Sequence, residues 1–108
     1  MADLAQEIED AELQVERAAH ALRELDPGNE LLKYHFLSAE EVAHGRDPVR
    51  EEHLRIELKD RFWNGEKPWR ETPGAMVAAG VLCHYYFALK QSVHLAAASR
   101  GIEAPSLP

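Results

Sequence analysis

Apolar and small residues recur every three or four positions over long parts of the chain, a pattern typical of amphipathic helices. In residues 3 to 25 the spacing alternates between four and three without a break, as in a heptad seam. The seam consists of Leu4, Ile8, Ala11, Val15, Ala18, Leu22 and Leu25. Asp3 is placed to cap this helix, and Gln6 can complete a capping box. We therefore predict a long N-terminal helix that ends before Pro27.

The second segment allows two interpretations. A continuous helix over Glu30 to His44 would end at Gly45 and would place one set of apolar residues on one face. That set is Leu32, Phe36, Ala39 and Ala43. Alternatively, Ser38 caps a shorter helix, and residues 31 to 37 are extended. We favour the continuous helix, because a lone strand would find no partner elsewhere in the chain.

The third helix begins where Asp47 precedes Pro48, a typical cap followed by proline at the first helical position. It is expected to run to Asn64. Two pairs with the acid four residues before the base indicate an exposed face that carries ion pairs. These pairs are Glu51 with Arg55 and Glu57 with Arg61.

The fourth helix is expected to begin with Thr72 as its cap and Pro73 at the first position, and to end at Gly101. Its residues are apolar almost all round, which predicts a helix buried at the centre of the fold. We expect Cys83 and His84 to be core residues of this helix. Its apolar run is shorter than the roughly 20 residues that cross a bilayer, so a membrane span is not expected.

Together the segments predict an all-α fold, an elongated helical bundle of about four helices. The length of 108 residues fits one domain. We assign residues 1–101 to a single helical-bundle domain and residues 102–108 to an irregular C-terminal tail.

Composition narrows the classes of function. The net charge of −7 argues against a partner held through phosphate groups, so nucleic acid is not expected. The single cysteine, Cys83, excludes a disulfide within one chain, and the acidic start lacks the basic region of a signal peptide. These features favour the cytoplasm. The chain also has no glycine-rich phosphate loop and no nucleophile motif, so we expect no catalytic residues.

Glu41 and His44 form an E-x-x-H motif, which di-iron proteins use on facing helices. Glu16 on the first helix is the obvious further ligand, and two chains would then supply four glutamates and two histidines. The helical wheel opposes this arrangement, because it places Glu16 outward and Glu41 away from the apolar face. Iron or another divalent metal is therefore the alternative expectation, and no cofactor is the leading one.

The leading hypothesis is a non-enzymatic interaction protein: an accessory subunit, an adaptor or a component of a homo-oligomer. The N-terminal helix would bind a protein partner or a second copy through Leu4, Ile8, Val15 and Leu22. The alternative is that this helix only packs along the fourth helix within one chain. The loop after the third helix offers a second contact edge, because tryptophan and arginine are enriched at binding hot spots. Its candidates are Trp63, Trp69 and Arg70. The alternative, which we favour, is that the two tryptophans cap the end of the bundle. A dimeric di-iron-like protein is the alternative, and an acidic decoy for a nucleic-acid-binding protein is a third interpretation.

Overall fold

A computed structural model describes residues 3–35 and 47–107 of the chain. In these ranges 76% of the residues are helical and none forms a strand, so the all-α prediction is confirmed. The helices are α1 (Leu4–Leu25), the 3₁₀ helix η1 (Glu30–Tyr34), α2 (Pro48–Phe62), the 3₁₀ helix η2 (Trp69–Glu71) and α3 (Gly74–Ser99). Because much of the second predicted helix lies outside the described ranges, the count of four helices stays a prediction.

Helix α1 begins as its sequence predicts. The Asp3 side chain accepts a hydrogen bond from the amide of Ala5 at 3.1 Å, which satisfies one of the first free amides of the helix. Gln6 does not behave as the capping box requires: its Nε2 donates to Asp10 one turn further on, at 3.0 Å. The helix is therefore capped by Asp3, and Gln6 adds a side-chain bond along its surface.

The expected α-helix from Glu30 is wrong over its first turn, which is the 3₁₀ helix η1. The amide of His35 bonds to the carbonyl of Leu32, three residues back, and the carbonyl of Leu31 accepts instead from the Tyr85 hydroxyl at 2.6 Å. This side-chain bond takes an acceptor that an α-helix would have given to His35. The rest of the predicted second helix, with Glu41 and His44, lies outside the described residues.

Helix α2 has the predicted cap, since Asp47 accepts from the amides of Val49 and Arg50 ahead of Pro48. Of the predicted ion pairs, Glu51 with Arg55 is present at 3.9 Å. The other two residues reach η1, which corrects the prediction. Glu57 lies 3.0 Å from Lys33, and Arg61 lies 2.9 Å from Glu30. These two ion pairs therefore join α2 to η1, whereas the prediction placed one pair within α2.

Helix α3 begins at Gly74, and the expected cap at Thr72 is wrong because the Thr72 hydroxyl donates to the carbonyl of Pro68 at 3.1 Å. Its end follows the prediction. Gly101 adopts a φ of 68°, the left-handed conformation that glycine tolerates best. The amide of Ile102 bonds to Ala97 and that of Gly101 to Ala98, each at 3.0 Å, which completes a Schellman motif.

The core lies between α1, η1 and one face of α3. Its buried members are Val15, Ala18, Ala19, Leu22, Leu31, Leu32, Tyr85, Tyr86, Leu89 and Val93. Helix α2 contributes no fully buried residue and joins through an aromatic cluster. In this cluster the Phe62 ring lies 5.4 Å from Tyr85 and 6.2 Å from Tyr34, between ring centroids.

The expectation of a centrally buried α3 is wrong, because its neighbours cover one side of it and leave the other open. The chain measures 43 Å by 37 Å by 22 Å, a thin slab about as long as α3 itself. Because the two longer dimensions are nearly equal, the shape is flattened and not elongated as predicted. None of the helices in the described ranges is long and apolar enough to cross a membrane.

Candidate functional site

The open side of α3 carries six residues spaced alternately by four and three positions, which we call the outer stripe. The outer stripe consists of Met76, Gly80, Cys83, Phe87, Lys90 and His94. At 100° per residue this spacing keeps all six on one face of the helix. Met76 and Phe87 are each 54% exposed, and Cys83 is exposed as well. Contiguous apolar groups on a surface mark contact sites, so the outer stripe is the candidate functional site.

Four members of the outer stripe, Met76, Cys83, Phe87 and His94, are exposed because α3 buries a different line of residues, while Gly80 and Lys90 are half-buried. These are Val77, Val81, Tyr85, Leu89, Val93 and Ala97, every fourth position along the helix. Four residues turn the helix by 400°, so this line winds slowly around it, and at Tyr85 it lies opposite the outer stripe. Cys83 and His84, which the sequence predicted to be core residues, are both exposed. A helix that is apolar all round does not reveal which of its faces its own chain covers.

Trp63 borders the outer stripe at Gly80. A Cβ atom added at Gly80 would lie 2.9 Å from Cζ3 of the Trp63 ring, so the indole rests directly on the backbone of α3. The indole nitrogen donates to the carbonyl of Lys67 at 2.7 Å. A Cβ at Gly65 would meet the same ring at 2.0 Å. Trp63 therefore fastens the loop after α2 to α3, a role that two glycines make possible.

Trp69 is held within the same loop. Its indole nitrogen donates to the Asp60 carboxylate, and two cations lie over its ring. The guanidinium of Arg70 is 4.3 Å from the ring centroid, and the ammonium of Lys59 is 5.0 Å from it. Trp63 and Trp69 therefore both have hydrogen-bond partners within their own chain. Binding of a partner through Trp63, Trp69 and Arg70 stays a prediction.

The predicted contact seam of α1 lies largely inside the chain. Val15 is 2% exposed and Leu22 is fully buried, both in the core cluster with α3. Leu4 and Ile8, nearer the start of the helix, are half-buried. The middle and end of the seam are therefore buried against α3. Binding of a second chain through the seam stays a prediction, and it concerns the first two turns of α1.

Glu16, the candidate metal ligand, is exposed at a cleft of about 420 Å³ on the side of α1. The cleft is also lined by Leu13, Arg17, His20, Arg23 and His35. Residues 3–35 and 47–107 contain no group of three or more histidine, cysteine or acidic side chains placed to hold a metal ion. Glu41 and His44 lie outside these ranges, so the metal site of the alternative hypothesis stays a prediction.

Charge sets α3 apart from the rest of the protein. In a chain with a net charge of −7, every Asp and Glu except Glu103 precedes Gly74. The only fully charged side chain of α3 is Lys90, whose ammonium lies 5.9 Å from the centre of the Tyr86 ring. The outer stripe is thus apolar to weakly basic on an otherwise acidic protein.

Comparison with known proteins adds no relative. No family of proteins, no curated protein and no solved structure matches this chain. What the outer stripe offers chemically is a surface for contact: thioether, thiol and phenyl groups in a row, with Lys90 and His94 at one end. Methionine and aromatic side chains are the types enriched in protein interfaces.

Proposed function

We propose that this protein acts through protein–protein contacts, as a non-enzymatic accessory subunit, adaptor or homo-oligomer component, and that its contact surface is the outer stripe of α3. The observation that carries the proposal is the exposure of Met76, Cys83 and Phe87 along a helix that contains no acidic residue. We place the main contact surface on α3 rather than on α1, because α1 already buries Val15 and Leu22 within the chain.

Burial supplies the driving force. A phenylalanine or methionine gains about 1.5–3 kcal/mol when it is fully removed from water, so covering the exposed halves of Phe87 and Met76 is worth about 1 kcal/mol each. The other exposed large apolar residues in the described ranges are Leu13 on α1, Val49 on α2, Leu95 on α3 outside the outer stripe, and Ile102 after α3. In the outer stripe, Met76, Cys83 and Phe87 lie on one face of a single helix.

We further propose a cytoplasmic location for the protein. Cys83 is the single cysteine of the chain and lies exposed at the middle of the outer stripe. A reducing compartment keeps such a thiol free, whereas an oxidising one would favour mixed disulfides at the contact surface.

Site-specific photo-crosslinking tests the contact surface. A benzophenone amino acid is placed at Phe87 or, as a matched control, at Val49, which is apolar and 66% exposed on α2. Irradiation in cells that express the protein at its natural level is expected to give a protein adduct from position 87 alone. The adduct is identified by mass spectrometry, and binding of that purified protein is then measured. We expect Phe87→Asp to weaken binding at least tenfold and Val49→Asp to leave it unchanged.

The absence of any adduct at position 87 above the level at position 49 would overturn the proposal. So would an adduct whose purified partner binds Phe87→Asp as tightly as the unaltered protein. An adduct with a second copy of this chain and an adduct with a different protein both support contact through the outer stripe, and the mass distinguishes them.

A further inference from the structure

We infer that the occupant of the outer stripe is a second copy of this chain, bound antiparallel with α3 against α3 around a two-fold axis near residue 85. The inference rests on the proposed function and names its partner. It follows from three properties of the stripe: its register, its charge and its area.

The spacing of the outer stripe is the same in both directions along the helix, four, three, four, three and four residues. Two antiparallel copies can therefore place each stripe residue opposite another stripe residue. A two-fold axis at residue 85 brings Cys83 of one copy opposite Phe87 of the other, and it does so twice. The same axis places Met76 opposite His94, and Gly80 opposite Lys90. The most apolar layers therefore meet at the centre of the contact, with more polar layers at its ends, which is the usual anatomy of an interface.

Charge selects the antiparallel orientation over the parallel one. A parallel, in-register pair would stack Lys90 on Lys90, and like charges at such close range repel. In the antiparallel pair these two lysines are ten residues, about 15 Å, apart along the axis. Each faces the layer of Gly80, which the indole of Trp63 borders in the other copy. The opposed helix dipoles also favour this orientation.

Charge also favours contact between two copies through the outer stripe rather than through α1. All acidic residues but Glu103 belong to the part of the chain before α3. Contact through α1, which carries six acidic and two basic residues, would bring two acidic surfaces together, whereas contact through the outer stripe turns them away from each other. For a chain with a net charge of −7, a second copy therefore meets less repulsion at this face than at α1.

The area of the contact predicts its strength. Helix α3 has 26 residues and is therefore about 39 Å long, and a contact stripe about 10 Å wide covers about 400 Å² on each copy. The total of about 800 Å² lies below the usual range of about 1,200–2,000 Å² for stable complexes. We therefore infer a reversible dimer that dissociates in the micromolar range or above, not an obligate one.

Sedimentation equilibrium of the purified protein from about 1 µM to about 1 mM tests the dimer. We expect the mass to rise from one chain to two over this range. Phe87→Asp is expected to shift the midpoint at least tenfold upward, and Val49→Asp to leave it in place. Circular dichroism confirms that both variants are folded, which their exposure leads us to expect. A monomer throughout the range would overturn the inference, as would a dimer that Phe87→Asp leaves intact.

Disulfide trapping tests the orientation. In a Cys83→Ser background, Met76→Cys together with His94→Cys is expected to give a covalent dimer on mild oxidation. These positions are 18 residues, about 27 Å, apart in one helix and cannot bridge within a chain. Neither single substitution should trap a dimer, since each then lacks its partner thiol. A covalent dimer from Met76→Cys alone would indicate a parallel pair and overturn the antiparallel register. If only another protein is crosslinked at position 87, the proposed function stands and this inference fails.

Discussion

The hydroxyl of Tyr85 donates a hydrogen bond to the carbonyl oxygen of Leu31 at 2.6 Å, across the buried junction of α3 and η1. Burial raises the pKa of this hydroxyl well above its usual value, so it remains a donor at physiological pH. The next residue, Tyr86, is only 7% exposed, yet its hydroxyl has no hydrogen-bond partner within the part of the chain that the structure describes. Of these two adjacent buried tyrosines, Tyr85 thus has a hydrogen-bonded hydroxyl, and Tyr86 has one without a partner among the described residues.

Removing the two hydroxyls is therefore expected to have different effects on stability. Tyr85→Phe leaves the carbonyl of Leu31 without its buried donor and should lower the free energy of unfolding by about 1–2 kcal/mol. Tyr86→Phe removes an unpaired buried hydroxyl and should leave stability unchanged or raise it. Urea unfolding followed by circular dichroism measures both. Equal losses in the two variants would contradict the distinction.

Gly80 is expected to resist replacement by alanine although it lies inside a helix. Alanine is favoured over glycine in helices by about 1 kcal/mol, but the new methyl group would meet the rigid Trp63 ring at 2.9 Å. Overpacking of this kind costs about 1–3 kcal/mol, so Gly80→Ala should destabilise the protein by about 1 kcal/mol on balance. Gly74→Ala is the control, because a Cβ there meets nothing within 4 Å, and it should be neutral or stabilising.

A double-mutant cycle with Trp63→Ala tests whether the Trp63 ring causes the loss of stability in Gly80→Ala. Once the indole is gone, Gly80→Ala should stabilise the protein, because only the helix propensity of alanine remains. Thermal unfolding of the four proteins in the cycle gives the coupling between the two positions. If Gly80→Ala destabilises equally with and without Trp63, the contact with the indole is not the reason.

Local signals in the sequence account for much of the fold but little of the site. The caps at Asp3 and Asp47 and the terminal Gly101 were predictable, because each acts on residues a few positions away. The bond from Tyr85 to Leu31 spans 54 positions, and it decides where an α-helix gives way to a 3₁₀ turn. No local pattern contains it. Such tertiary contacts override helix propensity.

The outer stripe was missed for a related reason. Hydrophobic periodicity reports a preferred buried face, and α3 is apolar all round, so its sequence shows burial without direction. Charge was the signal that was available: the long run without acidic residues in an acidic chain indicated one region different from the rest. The position of the Trp63 ring depends on the space left by Gly65 and Gly80. The pattern of apolar residues does not indicate that space.

Helix α2 is expected to be the least stable of the three α-helices. It has no fully buried residue, and it is joined to η1 by the exposed ion pairs of Lys33 with Glu57 and of Arg61 with Glu30. Ion pairs that stay in contact with water contribute little to stability. Amides of α2 should therefore exchange with deuterium faster than those in the middle of α1 and α3. Exchange at equal rates in all three helices, read by mass spectrometry, would show that they open as one unit.

Stability is expected to fall with acid through His35. Burial, assisted by the positive charge of Arg23 and opposed by Glu16, lowers the pKa of His35 from 6.5 to about 4, in a cleft that also holds Arg17 and His20. Between these values the unfolded chain binds a proton that the folded chain does not, so stability is complete above pH 6.5 and declines toward pH 4. His35→Gln removes this contribution and should flatten the decline in urea midpoints, while the carboxylates contribute equally to both proteins. If the two proteins lose stability in parallel over this interval, His35 is not held neutral by the fold.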